Sequence, residues 1–525
     1  MGTPTRTTPQ NAIIFALLAG AWGQPHTRRL EDATTIEACT YVPDACVFPF
    51  TYLGVEYQTC TDVNSDTFWC STSSQYTFGG GSWENCAGCD PPTPAPTTPT
   101  TVAPTTTTTA PSNQPTAGAN ATRVSTYDAL RAAAQLGGVV EVVADIVVES
   151  EINLGTGNAS GANFSLEVLA YGFALTCGRA NQRIFRAFGG ASLAIRGGSL
   201  SGCREMEAVY AYQAGSIVLE DVRGFNNSGI DGFVGGVVKV EDADLEIRRC
   251  TFDHNVGEYG GAVYAQASTS DITVVIVDSA IERNVAEWYG GGVYLFNWGW
   301  GATLTAVIAN TSVSHNAVFD MGGATGGGIF AEGAALTLDN VTVANNSAFY
   351  AGGLYLEEAV TVARGLACER NFARSVWGGG YMLGGELNVS RSVVTGNVAA
   401  EAGGFGFDTG GGLRGVTTSV RAVFDGVAFD GNVATVGAGG GLLLASGAST
   451  TVVNCTFSNH VADVGGAVAL ELGSSARLEG CVFRNNHAAS GGAVSHVGSG
   501  RLDAVRRCVE IKSSTRLQCA RNRTV

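Results

Sequence analysis

From about residue 123 to residue 500, apolar and polar positions alternate in short runs, and the runs recur. One unit reads Leu245-Glu246-Ile247-Arg248-Arg249-Cys250-Thr251-Phe252-Asp253-His254-Asn255, followed by Gly260-Gly261-Ala262-Val263-Tyr264. The pattern returns near the end as Leu478 to Asn486 with Gly491-Gly492-Ala493-Val494. A period of two predicts strands, and the glycines and asparagines predict turns that need positive φ. An asparagine recurs at Asn255, Asn284, Asn316, Asn346, Asn371, Asn397, Asn432 and Asn486, and His460 fills the slot once. The steps are about 25 to 35 residues, a length that holds about three short strands. A unit this short cannot bury its apolar face alone, whereas stacked units bury a continuous core.

The expectation is a mainly β chain dominated by a right-handed parallel β-helix over 123–500. The repeat resembles the pectin-lyase-like fold and the repeat regions of polymorphic outer-membrane proteins, which share Phe-x-x-Asn and Gly-Gly-Ala-Ile units. No β-barrel translocator is evident in the sequence. The asparagines predict a structural ladder, with amides bonding from coil to coil; the alternative is a row of metal or sugar ligands. Before the first coil, Ser125 to Ala134 predicts a capped amphipathic helix covering the open end of the solenoid.

The N-terminal region follows a different rule. Six of the fourteen cysteines fall between Cys39 and Cys89, and histidine is absent from that stretch. In a secreted chain this is a disulfide framework for a segment too small to fold on its core alone. Zinc is disfavoured, because Cys86-x-x-Cys89 is the only closely spaced pair. Spacing alone leaves the pairing open. The intervening residues run Cys46-Val47-Phe48-Pro49-Phe50-Thr51-Tyr52, then Cys60-Thr61, Trp69-Cys70, Tyr76 and Trp83-x-x-Cys86. This resembles the fibronectin type II domain, a kringle-like module, across residues 46–86.

The resemblance implies disulfides Cys46–Cys70 and Cys60–Cys86. Cys39 and Cys89 flank the module and are expected to pair as an outer clasp. The resemblance also implies an exposed aromatic face, formed here by Tyr52, Trp69, Tyr76 and Trp83, that binds denatured collagen or choline head groups. Such rings attract quaternary ammonium groups and stack on sugars and prolines. The chain departs from the pattern at Gln75, at Asn85 and in the Gly79-Gly80-Gly81 loop. Between Thr35 and Asp90 it carries Glu37, Asp44, Glu56, Asp62, Asp66, Glu84 and Asp90 and no Lys or Arg. An anionic module favours neutral or cationic ligands. Part of the aromatic set is expected to be core.

Residues 1–23 predict a signal peptide, with Arg6 ahead of the apolar run Ile13 to Ala21 and small residues for cleavage. No later stretch is long enough for a transmembrane segment. Sequons at Asn120, Asn158, Asn163, Asn226, Asn310, Asn340, Asn345, Asn388, Asn454 and Asn522 fit an extracellular glycoprotein. Residues 90–122 form a Thr/Pro-rich linker, disordered or O-glycosylated, and residues 501–525 a basic tail. Net charge is −16, and lysine occurs only at Lys239 and Lys512. That balance excludes a sequence-independent nucleic-acid binder.

No catalytic or metal constellation emerges, and no cofactor is expected. Hydrolases need two or three grouped carboxylates, and lyases need acids with a basic partner. In the repeat the acids are scattered. Asp253-His254-Asn255 is a tempting trio, but Asn255 belongs to the ladder and His254 is expected to point outward. The glycine runs lack a following Gly-Lys-Ser/Thr. The sequence thus points to a secreted or cell-surface, non-catalytic binding or adhesion protein. Its expected partner is a matrix protein, a glycan or a choline-type head group, and its oligomeric state is open. A polysaccharide lyase or glycoside hydrolase is the alternative.

Overall fold

In the computed structural model the chain divides into two compact units, Met1–Thr109 and Ala110–Val525. The structure describes residues 39–41, 46–48, 50–52, 55–57, 60, 69–72 and 83–89 of the first. In the second it describes 121–511, apart from 156–163, 230–234, 300, 320–322, 410–418, 472, 498 and 506–508.

The described residues of the first unit form three antiparallel strand pairs: Cys39–Tyr41 with Ala87–Cys89, Phe50–Tyr52 with Val55–Tyr57, and Trp69–Ser71 with Trp83–Asn85. Disulfides Cys46–Cys70 and Cys60–Cys86 tie these segments, with Cα separations of 5.6 and 6.5 Å. Cys60, Cys70 and Cys86 are buried. The sulfurs of Cys46, Cys70 and Cys86 lie within 4.8 Å of one another; they are the packed contact of two disulfides, so they offer no thiolates to a metal.

The second unit is a parallel β-solenoid of about 12 turns. One coil reads Val238–Glu241, Asp244–Arg248, Thr251–Asp253 and Val256–Tyr259. The next follows as Val263–Ala267, Ile272–Val277, Ala280–Glu282 and Val285–Tyr289. Each coil lies parallel on its neighbour, with Leu245 over Val274 and Phe252 over Ile281. The strands form sheets of 26, 14 and 10 strands.

The expected three strands per coil are four in most coils, because the longest wall bends. Left-handed residues such as Asp242 (φ 54°) make the bend. In two coils the halves fuse into the single strands Leu354–Arg364 and Gly380–Ser390.

The core is the stack of inward positions. Phe429, Phe457 and Phe483 lie ring on ring at 4.6 and 5.1 Å. A glycine pair closes each coil because the chain passes its neighbour closely: a Cβ on Gly261 would meet the Gly291 carbonyl oxygen at 2.1 Å. At the N-terminal end the helix Tyr127–Leu136 is capped by Thr126, whose Oγ1 accepts from the Ala129 amide at 3.3 Å. Leu130, Ala133 and Ala134 are its buried face. The disulfide Cys177–Cys203 joins neighbouring coils with Cα atoms 4.9 Å apart. Cys250, Cys368 and Cys455 are buried free thiols, and Cys481 is buried too. Cys508 and Cys519 lie outside the described residues, as do the signal-peptide region, the Thr/Pro linker up to residue 120 and all of the tail but the strand Val509–Ile511 and residues 501–505. No helix among the described residues is long and apolar enough to cross a membrane.

Candidate functional site

In the small module, backbone register brings part of the aromatic set together. Ser71 pairs with Trp83 and Trp69 with Asn85. Directly paired positions share a face of a β-ribbon, as do positions two apart along a strand. Positions 69, 71, 83 and 85 therefore form one face and 70 and 84 the other; Ser71 on the first and Cys70 on the second are both buried. Tyr52 sits in the neighbouring hairpin opposite Val55. The side chains of Tyr52, Trp69 and Trp83, and all of Tyr76, lie outside the described residues. Cys39 and Cys89 stand at paired register positions.

In the solenoid the asparagine row is a hydrogen-bonded ladder. From Asn255 to Asn397 each Nδ2 donates to the Oδ1 of the next asparagine at 2.9–3.1 Å. Each Oδ1 also accepts a backbone N–H from the coil below. Asn227 extends the row downward, a member the repeat template did not include. All these side chains are buried, and their hydrogen-bonding capacity is spent within the stack. A left-handed residue precedes each of them, His254 before Asn255 and Arg283 before Asn284, which turns the amide inward.

The interruption at His460 is visible in its bonds. Nδ1 accepts from the Asn432 amide at 3.1 Å, while Nε2 is buried without a partner among the described residues. Burial drops the imidazole to about 4.

The trio at 253–255 is an ion-pair corner. Asp253 accepts two bonds from Arg223 at 3.0 Å and faces His254 Nδ1 at 2.9 Å. Burial opposes ionisation of Asp253, but Arg223 and His254 outweigh it and lower its pKa. His254 is about half exposed. The buried thiols are poor nucleophiles: burial pushes Cys250, Cys368 and Cys455 up to about 12.

Sequons at Asn226, Asn310, Asn340, Asn388 and Asn454 are exposed, and Asn345 is half-buried. All but Asn388 occupy left-handed turn positions. Asn120, Asn158, Asn163 and Asn522 lie outside the described residues.

One feature escaped the repeat template. On the outer side of the longest sheet, Tyr264, Tyr294, Phe330, Tyr355 and Tyr381 occupy one register row. Successive rings lie 4.8–5.4 Å apart. They are 1–9% exposed because Tyr259, Tyr289 and Trp377 pack against them, with Tyr350 beside Trp377 at 6.0 Å. Gly406 carries no side chain where a Cβ would meet the Trp377 indole at 2.0 Å. The signal was present: the aromatic stands two residues beyond the small-residue turn in Gly260-Gly261-Ala262-Val263-Tyr264 and Gly291-Gly292-Val293-Tyr294. Beside the ring row, Glu332 and Glu357 are paired in register and buried.

Comparison with known proteins identifies the small module. The model of the fibronectin type II domain matches residues 46–86, and this segment is such a domain. The similar curated proteins include Seminal plasma protein HSP-1 of Equus caballus, 47% identical over 45 residues, and Binder of sperm protein homolog 2 of Mus musculus, 41% over 49. Each match covers 9% of this chain and 35% of the relative, so the chain spans about a third of the length of these relatives. Among solved structures, the A-modules of the Azotobacter vinelandii mannuronan C-5 epimerases AlgE6 and AlgE4 are similar to the solenoid. They are 13% and 10% identical, cover 74% and 72% of this chain and 96% of their own, and give TM-scores of 0.34 and 0.22.

Proposed function

We propose that this is an extracellular binding protein whose type II domain captures a choline-type head group, a collagen-like protein or a glycan, while the solenoid serves as a scaffold. The observation that carries the reading is the type II domain itself, with positions 69 and 83 sharing one face of a ribbon tied by the Cys46–Cys70 disulfide. An aromatic face in an acidic module suits a quaternary ammonium group, each ring contributing about 0.5–2 kcal/mol. The organisation that goes with this is a signal peptide at 1–23, the type II domain with its outer clasp at 39–89, a linker at 90–122, the β-helix at 123–500 and a tail at 501–525. Tyr52, Trp69, Tyr76 and Trp83 are the proposed ligand-binding residues. Retention of the intact protein on phosphocholine resin and on gelatin tests the reading. Wild type is expected to be held on at least one of them and Trp83→Ala to flow through; equal retention of the two would overturn it.

A further inference from the structure

The turn from the longest sheet into the 14-stranded sheet repeats one backbone conformation from coil to coil. Strand register places Asn310 after Asp278, Asn340 after Asn310, and Gly365 after Asn340. Further along the same column, Gly426, Asn454 and Gly480 follow one another. All of them are left-handed, with φ of 48–64°. Asp278 and Asn310 hold that conformation with side chains, so the backbone alone does not demand the glycines.

Three of these turns open a sequon: Asn310-Thr311-Ser312, Asn340-Val341-Thr342 and Asn454-Cys455-Thr456. Each asparagine is exposed, as are Thr342 and Thr456 at the head of the next strand. Their neighbours in the column differ. Asn310 is held between two side chains: its Nδ2 donates to Asp278 Oδ1 and its Oδ1 accepts from Asn340 Nδ2, both at 3.0 Å. Asn340 has that bond on one side and Gly365 on the other. Asn454 has a glycine on both sides. A Cβ on Gly426 would meet nothing within 4 Å, and one on Gly480 would press on Asn454 Oδ1 at 2.8 Å. Bare backbone therefore keeps the Asn454 amide clear. In the neighbouring turn column the half-buried sequon residue Asn345 accepts from Arg370 Nε at 3.3 Å.

We propose that Asn454 and Asn340 carry N-linked glycans, while Asn310 and Asn345 stay bare. The sugar donor is a lipid diphosphate oligosaccharide. The asparagine Nδ2 bonds to the first sugar carbon, the bond from that carbon to the diphosphate oxygen breaks, and one Nδ2 hydrogen leaves as a proton. Asn340 Nδ2 keeps its second hydrogen for the bond to Asn310 Oδ1, so sugar and column coexist. At Asn310 a sugar would have to enter between side chains in coils only about 4.8 Å apart, and at Asn345 it would displace Arg370. Chains modified at those two places lose native bonds on folding and are depleted from the secreted population. The inference rests on the extracellular reading above, because the transfer takes place along the secretory route.

The test is peptide mass spectrometry of the full chain produced in cultured animal cells. Sugars are released by peptide N-glycosidase in heavy-oxygen water, which marks each occupied asparagine as labelled aspartate. Label is expected in most molecules at Asn454 and Asn340, and about fivefold less at Asn310 and Asn345. Asn454→Gln and Asn340→Gln are each expected to remove one glycan step from the mass of the intact protein. Protein in the medium with Cys46–Cys70 and Cys60–Cys86 formed, but bare at Asn454 or at Asn340, would overturn the proposal and leave the extracellular reading standing. Equal label at all four asparagines would overturn it in the same way. Protein kept inside the cells, unglycosylated and with those cysteines reduced, would overturn both.

Discussion

The type II domain and the solenoid both order short strands, but by opposite means. The module has too little apolar surface for its length, and two disulfides in contact make up its buried centre. Among the described residues the solenoid has one inter-coil disulfide, and its order comes from repetition: each coil is the template for the next, through the phenylalanine stack inside and the asparagine ladder at the turn. The module's stability therefore resides in a few covalent links, whereas the solenoid's is spread over many weak and equivalent ones.

Reduction separates the two most strongly. Removing both module disulfides is expected to cost about 2–4 kcal/mol each, which unfolds so small a domain, while the solenoid loses one link of many. Amide exchange in dithiothreitol should show protection lost in residues 46–86 and kept over 238–390; uniform loss would break the contrast.

Within the solenoid, Asn371 is the ladder's central test. It donates to Val343 O and Asn397 Oδ1 and accepts from the amide and side chain of Asn346. Asn371→Ala leaves several of these groups buried and unpaired, and we expect a loss of about 4 kcal/mol in urea unfolding. A cost below about 1 kcal/mol would mean that the ladder is incidental.

His460 sharpens the same point through pH. The folded imidazole titrates at about 4, against 6.5 when unperturbed. The unfolded state therefore takes up the proton first. Stability falls as pH drops from about 6.5 towards 4 and levels off below, by about 3 kcal/mol in all. His460→Asn would restore the side-chain donor towards Asn486 and flatten that part of the profile. An unaltered acid slope in the variant would contradict the burial argument.

The smallest effect is expected at Thr325, whose buried Oγ1 has no hydrogen-bond partner among the described residues. Thr325→Val should change the melting temperature by about 2 °C or less, because no partner of the hydroxyl is lost. A large fall would mean that the hydroxyl is bonded in the folded protein.

Much of the solenoid was legible because its signals are local. Alternation gave the strands, glycine pairs the close turns, and the recurring asparagine the ladder. What escaped depended on the neighbouring coil. The fourth strand arises from a bend at residues such as Asp242, whose left-handed backbone nothing in the alternation marks. Asn227 lacks the following Gly-Gly-Ala at the usual distance. The Tyr264-to-Tyr381 row points outward and reads as ordinary strand alternation until register stacks the rings and Tyr259, Tyr289 and Trp377 cover them. The acids at 332 and 357 looked scattered for the same reason: they are about 25 residues apart in sequence and adjacent only across the stack. In the module the order was reversed. The aromatic and cysteine spacing was specific enough to identify the domain, while its ligand depends on side-chain arrangement that spacing does not encode.

The most direct measurement of the central claim is retention of the intact protein, Trp83→Ala and Thr325→Val on phosphocholine resin and on gelatin. The account predicts that wild type and Thr325→Val are held alike on at least one of the two, and that Trp83→Ala passes through unretained while keeping disulfides Cys46–Cys70 and Cys60–Cys86. Wild-type protein in the flow-through of both, or Trp83→Ala held as firmly as wild type, would contradict it.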